Sequence, residues 1–129
     1  RRSIYIHVKR SLRFQMLADF DQADTDTPCA VRFATTVPTQ ALTMLNSRFV
    51  NEQASLLASR LRSGSDLSLE DRIRLGLELA LQRSPQEAEV ETSLKLIETL
   101  RKEKRMSEEQ ALERFALVVL NLNEFVYLD

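Results

Sequence analysis

Three short segments of the chain have the sequence of a helix start, and they constrain the fold more than any other feature. They are Ser68-Leu69-Glu70-Asp71, Ser84-Pro85-Gln86-Glu87 and Ser107-Glu108-Glu109-Gln110. The segments at Ser84 and Ser107 are capping boxes, in which the serine oxygen accepts a hydrogen bond from a free backbone N–H and the polar side chain three residues later accepts one from the serine N–H. Because only short turns separate these helices, we expect neighbouring helices to pack antiparallel.

Apolar residues recur at helical spacing after each of these starts and also earlier in the chain. The pattern predicts helices over residues 11–20 and 38–46, from Ser47 to just before Gly64, from Ser68, from Ser84 to about Lys104, and from Ser107 through Leu122. Pro38 suits the first turn of the second helix, because its missing N–H costs nothing there. The faces we expect to pack are Phe49, Val50, Gln53, Ala54, Leu57 and Leu61 in the third helix, and Ile73, Leu77, Ala80 and Leu81 in the fourth.

The ends of the chain differ from these helices. Ile4, Ile6 and Val8 alternate with polar residues, which is typical of a short extended arm, and we expect the tail from Asn123 to pack back as extended chain. The predicted fold class is all-α, a compact bundle of five or six helices with an extended N-terminal arm and C-terminal tail. The 129 residues suit a single helical domain, residues 1–129. Since the chain begins at Arg1 without Met, we expect it to be a fragment of a longer multidomain protein.

Charge and hydropathy argue against several classes of function. A formal net charge of -1 is not typical of a dedicated nucleic-acid binder, which normally has excess positive charge. The longest apolar segment, Phe115 to Leu122, is far shorter than the roughly 20 residues that a membrane span needs. A single cysteine, Cys29, leaves the redox compartment undecided.

An acidic loop follows the first predicted helix. Asp19, Asp21, Asp24 and Asp26 lie close together in the sequence, and clustered carboxylates on a loop can bind calcium. The spacing does not match an EF-hand, and Asp side chains in solvated loops commonly cap turns instead. We therefore predict no metal site and keep these four residues as weak candidates.

Other reactive side chains are isolated. His7 is the only histidine, so no histidine-based metal cluster or catalytic triad can form within the chain, and Cys29 has only Arg32 near it in sequence. Ordinary packed or solvated side chains explain both. A basic patch of Arg1, Arg2, Lys9, Arg10 and Arg13 could take nucleic acid or a polyanionic glycan, but the acidic loop nearby favours internal pairing. We predict no catalytic residue and no cofactor.

The strongest candidates for a polar binding surface lie around the start of the second helix. Thr35, Thr36, Thr39, Gln40 and Asn46 are polar residues that helix packing does not obviously require. Asp21, Asp24 and Arg32 in the preceding loop would extend the surface. The alternative is that these side chains satisfy backbone groups freed by the loop.

The order of motifs resembles the DUF1553 (PSD1) family, found in planctomycetes. The resemblance rests on Arg2-Ser3-Ile4-Tyr5, Val8-Lys9-Arg10, Phe20-Asp21, Asp24, Cys29, Arg32, Thr36-Val37-Pro38-Thr39-Gln40-Ala41-Leu42, Leu45-Asn46 and Phe49-Val50, and on a closing motif from Leu120-Asn121 to Tyr127. It implies a domain of unknown function in a large protein that is exported to the periplasm or cell surface. The upstream partners implied are DUF1549-like and cytochrome-c-like regions. The chain has no Cys-x-x-Cys-His motif, so it attaches no haem itself.

Three readings of function stay open. The leading one is a non-catalytic structural or interaction domain, with the polar loop and the helix start at Thr36–Gln40 as its contact surface. The second is one wall of an active site that upstream domains complete, lined by Asp21, Asp24, Arg32 and Gln40. The third is a calcium- or glycan-binding module.

Overall fold

The computed structural model describes residues 5–7, 9, 14–23, 35, 37–63 and 67–127. This described part contains seven α-helices and no β-strand: α1 (Gln15–Asp19), α2 (Pro38–Asn46), α3 (Arg48–Arg62), α4 (Leu69–Leu81), α5 (Glu87–Glu103), α6 (Glu108–Val119) and α7 (Asn123–Val126). The predicted all-α fold is confirmed. The chain divides into two compact units, Arg1–Ser47 and Arg48–Asp129. A single folded domain over residues 1–129 stays a prediction.

The core of the second unit is centred on α6, which packs against α3, α4 and α5. Half of this helix is buried, namely Ala111, Leu112, Phe115, Ala116, Leu117 and Val119. From α3 the core receives Val50, Ala54, Ala58 and Leu61. The predicted packing face of α3 is therefore right at Val50, Ala54 and Leu61, whereas Phe49 remains 55% exposed.

Gly76 is the point at which α4 comes closest to its neighbours. A methyl group built on this glycine would lie 2.9 Å from Phe115 Cε1 and 3.1 Å from Leu61 Cδ1. Such distances are shorter than van der Waals contact, so even the smallest side chain would push against the core. Glycine therefore allows α4 to approach α3 and α6 closely.

The predicted capping box at Ser107 and the predicted helix start at Ser68 are confirmed, and Ser68 also forms a capping box. Ser68 Oγ accepts a hydrogen bond from Asp71 N at 3.1 Å, and Asp71 Oδ2 accepts one from Ser68 N at 3.3 Å. At α6, Ser107 Oγ accepts from Gln110 N at 3.2 Å, and Gln110 Oε1 accepts from Ser107 N at 3.1 Å. These reciprocal bonds fix where α4 and α6 begin.

The predicted helix start at Ser84 is wrong, because the N-cap of α5 is Gln86. The carboxylate of Glu89 accepts a 2.7 Å hydrogen bond from Gln86 N. Arg83 donates to both oxygens of the same carboxylate, at 3.0 and 2.7 Å. Since Glu89 is held from both sides, the first turn forms around it and not around Ser84.

The remaining differences from prediction lie at helix ends. α1 begins at Gln15, because Phe14 has extended backbone angles of φ −76° and ψ 112°. α6 ends at Val119, and the extended Leu122 precedes the four residues of α7, so the tail is partly helical where we predicted extended chain. In the predicted N-terminal arm, Ile4 and Val8 lie outside the described residues, and Ile6 is exposed.

Ion pairs join the helices of the second unit at the surface. Arg74 binds Glu70 in its own helix and Glu87 in α5, with shortest distances of 2.7 Å to each carboxylate. Arg83 likewise binds Glu89 and, at 2.7 Å, Glu124 of α7. Exposed pairs contribute little individually. Their arrangement nonetheless ties the start of α5 to α4 and to the tail.

Candidate functional site

The polar centre of the first unit is the side-chain amide of Gln40, which is only 1% exposed. Pro38 opens α2, and the extended Val37 precedes it. Gln40 is the third residue of this helix, so its side chain reaches back over the helix start. Its Nε2 donates to Asp19 O at 3.0 Å and to Thr35 O at 2.9 Å, while its Oε1 accepts from Val37 N at 3.4 Å.

Asp21 makes a second set of contacts with Thr35. One carboxylate oxygen of Asp21 accepts from Thr35 N at 2.6 Å, and Thr35 Oγ1 lies 2.9 and 3.0 Å from the two oxygens. Asp21 itself has a φ of 57°, a left-handed conformation that Asp tolerates better than most residues. The turn after α1 therefore points the carboxylate back to the segment that enters α2.

Asp19 joins the two helices of this unit directly. Its Oδ1 accepts from Gln15 Nε2 at 2.7 Å within α1, and its Oδ2 accepts a short hydrogen bond from Thr43 Oγ1 in α2. Sequence analysis did not identify Thr43 as part of the site. It lies three residues after Gln40, on the same helical face, and that spacing was the available signal.

Together these contacts form a polar cluster, defined here as Asp19, Asp21, Thr35, Gln40 and Thr43. The cluster brings residues 19–21 next to residues 35–43 and so closes the long intervening loop. Its side chains bind backbone groups and one another. The chemistry this arrangement supports directly is the positioning of a loop.

The cluster contains some of the predicted site residues and not others. Asp21 and Gln40 meet at Thr35, as described above. Thr39 and Asn46 are exposed on α2 and do not join them, and Asn46 Nδ2 donates to Leu42 O at 2.9 Å. Asp24, Arg32 and Thr36 lie outside the described residues.

Metal binding at the acidic loop stays untested, since Asp24 and Asp26 are likewise outside the described part. Within that part, no three His, Cys, Asp or Glu side chains are grouped closely enough to hold a metal ion. His7 and Lys9 are exposed. Cys29 and the four arginines of the predicted basic patch belong to the residues that are not described.

The outer face of α2 is apolar. Leu42 and Leu45 are 57% and 43% exposed, and Pro38 and Ala41 are exposed beside them at helical spacing. This surface, Pro38, Ala41, Leu42 and Leu45, is called the α2 face below. The helix thus buries an amide and exposes two leucines.

None of the described helices has both the length and the apolar composition needed to cross a membrane.

The fold and the polar cluster define a class: an all-α protein in which a buried glutamine links the end of α1 to the start of α2. A family model described as PSD1, a protein of unknown function (DUF1553), matches residues 1–97, and the chain belongs to this family. The family resemblance is confirmed over α1 to α4 and part of α5. The closing motif from Leu120 to Tyr127 lies outside the match. No curated protein and no solved structure matches the chain.

Proposed function

We propose that this chain is a non-catalytic interaction domain of a large exported protein, with the α2 face as its main contact surface. The observation that supports this proposal is the arrangement of α2. In a helix that completes its own domain, apolar residues face inward and amides face solvent. In α2 the amide of Gln40 is buried, whereas Leu42 and Leu45 are exposed.

The exposed leucines favour association for a simple energetic reason. Complete burial of a leucine side chain stabilises by about 1.5–3 kcal/mol. A surface that covered Leu42 and Leu45 would gain part of this for each residue. α2 also contains no charged residue, so covering it would not require the desolvation of an ion.

The polar cluster has a supporting role in this proposal. By fixing both ends of the loop between Asp21 and Thr35, it holds the start of α2 in place. A contact surface that is ordered before binding loses less conformational entropy on association. The helix start at Thr36–Gln40 and the polar loop would then lie at the edge of the contact.

The partner we propose is the upstream part of a longer parent chain, with DUF1549-like and cytochrome-c-like regions, in the periplasm or at the cell surface. The family resemblance is the basis for this partner. The test is to produce the 129-residue chain and the upstream regions as separate polypeptides and to measure their association by calorimetry.

The decisive variant is the double substitution Leu42→Glu and Leu45→Glu. We expect it to weaken association at least about tenfold, because two carboxylates would be buried without partners. Val118→Glu is the matched control, since Val118 is 42% exposed on α6 and is not part of the α2 face. Equal association of both variants and wild type, or no association of the wild type, would exclude the proposal.

The two other functions stay predictions. The active-site wall depends on Asp24 and Arg32 and the calcium site on Asp24 and Asp26, which the structure does not describe. For the active-site wall, Asp24→Ala and Arg32→Ala in the full parent protein should abolish its activity without lowering its melting temperature. For the calcium module, millimolar calcium should raise the melting temperature of the chain above its value in EDTA.

A further inference from the structure

A groove in the second unit has no assigned role. It lies between α3, the end of α4 and the segment from the end of α6 into α7, with a volume of about 430 Å³. Most of its lining is apolar: Leu56, Leu57, Leu79, Ala80, Leu120 and Phe125. The groove is open, because Leu56 is 63% and Phe125 43% exposed.

The openness of the groove argues for a polypeptide as its occupant. Small-molecule sites usually enclose most of their ligand. A groove between helices with large exposed apolar side chains along its length resembles the sites at which an amphipathic helix inserts one face. Leu56 and Phe125 would then contact the apolar face of the bound helix from two sides.

The rim of the groove indicates the charge of that helix. Gln53, Arg60 and Gln82 are the polar residues that line it. Arg60 is exposed and, unlike Arg62 with its Glu109 partner, has no ion pair with any residue in the described part of the chain. Gln82 Nε2 is already bonded to Leu79 O at 2.7 Å. Within the described part of the chain, a guanidinium without an ion-pair partner therefore stands beside an apolar groove whose lining contains no carboxylate.

We infer that this groove binds an acidic amphipathic helix of a protein partner, with leucine-like side chains against Leu56 and Phe125 and a carboxylate paired with Arg60. The inference rests on the proposed function, because it adds a second contact surface and a partner class to an interaction domain. The two surfaces share no residue, since the groove is lined by the second unit and the α2 face belongs to the first.

The test uses two synthetic helical peptides with identical leucine faces, one with glutamates and one with lysines on the polar face. Binding of the fluorescein-labelled peptides to the 129-residue chain is measured by anisotropy. We expect the glutamate peptide to bind at least about tenfold more tightly than the lysine peptide, and Arg60→Glu to reverse this preference. Arg114→Glu on the exposed face of α6 is the control with the same change in charge, and it should have no effect.

A second pair of variants tests the apolar contact. Leu56→Asp should abolish binding of the glutamate peptide, and Val118→Asp should leave it intact, because both residues are exposed but only Leu56 lines the groove. A circular dichroism melt of each variant checks that it is folded. Absence of binding, equal binding of both peptides, or binding that is insensitive to Arg60→Glu and Leu56→Asp would each overturn the inference.

The α2 variants distinguish this inference from the proposed function. Leu42→Glu with Leu45→Glu should leave peptide binding unchanged. If peptide binding fails while these variants still weaken association with the upstream regions, only the groove inference is wrong. If peptide binding holds while they have no effect on association, the inference stands and the role of the α2 face is wrong.

Discussion

Gln40 is the residue on which the first unit most depends. Its amide contacts Asp19 O, Thr35 O and Val37 N, three backbone groups that come from both ends of a long loop. Backbone groups that are shielded from water are costly to leave without a partner, so a single side chain that makes three part-buried hydrogen bonds to them is difficult to replace. A hydrophobic side chain of similar size, such as leucine, could not make these hydrogen bonds.

We expect Gln40→Leu to lower the stability of the first unit by about 1–3 kcal/mol, because it removes three part-buried hydrogen bonds while keeping the side-chain volume. Hydrogen exchange of the amides in α2 measures this local stability. Gln53→Leu is the matched control, since Gln53 is exposed on α3. Unchanged protection of α2 in Gln40→Leu would show that the amide does not hold the loop.

In the second unit, Glu89 has a role like that of Gln40, because its side chain holds the start of a helix, α5. Its hydrogen bonds with Arg83, followed by that from Gln86 N, lower the pKa of its carboxyl from 4.5 to about 2. A pKa that is lower in the folded state means that the ionised form stabilises the fold. This contribution is complete above about pH 4.5 and is lost as the pH falls towards 2.

The expected result is a urea-unfolding midpoint that falls over this pH range more steeply in wild type than in Glu89→Gln. The difference between the two proteins is the useful quantity, because hydrogen bonds with arginine or lysine also lower the pKa of Glu87, Glu91 and Glu124. Glu78→Gln, at an exposed position on α4, controls for the loss of one charge. If the urea midpoints of wild type and Glu89→Gln changed in parallel with pH, ionised Glu89 would not stabilise the fold.

At the level of secondary-structure elements, local signals determined which helices were predictable. Pro38 and Asn46 marked both ends of α2, and Ser68 and Ser107 marked the starts of α4 and α6. The start of α5 was missed because its cap depends on Arg83, a side chain outside the local motif. α7 was missed because four residues are too few to show a helical period.

Comparison of two serines tests these helix starts. Ser107→Ala removes the bond to Gln110 N and should cost about 0.5–2 kcal/mol of unfolding free energy. Ser84→Ala should be nearly neutral, because the α5 cap is Gln86. Chemical denaturation of both variants measures the difference. A loss at Ser84 as large as that at Ser107 would restore the original prediction.

The polar cluster was only partly predictable for a different reason. The sequence marks Gln40 and Asp21 as polar residues near a helix start, but Gln40 bonds to an oxygen 21 residues earlier. No periodic pattern reports contacts across a loop of that length. The Asp19–Thr43 contact was missed for the same reason, since its partners are 24 residues apart.

At the scale of the whole chain, the described apolar core belongs to one unit. Every buried apolar side chain in the described residues, from Val50 to Val119, lies in the second unit, whereas the described buried residue of the first is Gln40. Among the described residues, the free energy of apolar burial therefore comes mainly from the second unit. The exposed α2 face lies in the other unit, which is consistent with a role in contacts.

We accordingly expect residues 48–129, produced alone, to unfold cooperatively with most of the stability of the full chain. The polypeptide of residues 48–129 is longer than the roughly 40 residues below which domains usually need a disulfide or metal. Thermal melts and urea titrations of the two proteins provide the comparison. Failure of the shorter chain to fold would support the single domain over residues 1–129 that the sequence suggested.

The closeness of Gly76 to Phe115 has a spectroscopic consequence. One of the two α-hydrogens of Gly76 occupies the position where a methyl carbon would lie 2.9 Å from the aromatic ring, while the other does not. The circulating electrons of the ring should therefore separate the two proton resonances of this glycine. Because the sequence has only two glycines, the pair is easily assigned, and its collapse to a single shift would report loosening of the packed interior before any helix unwinds.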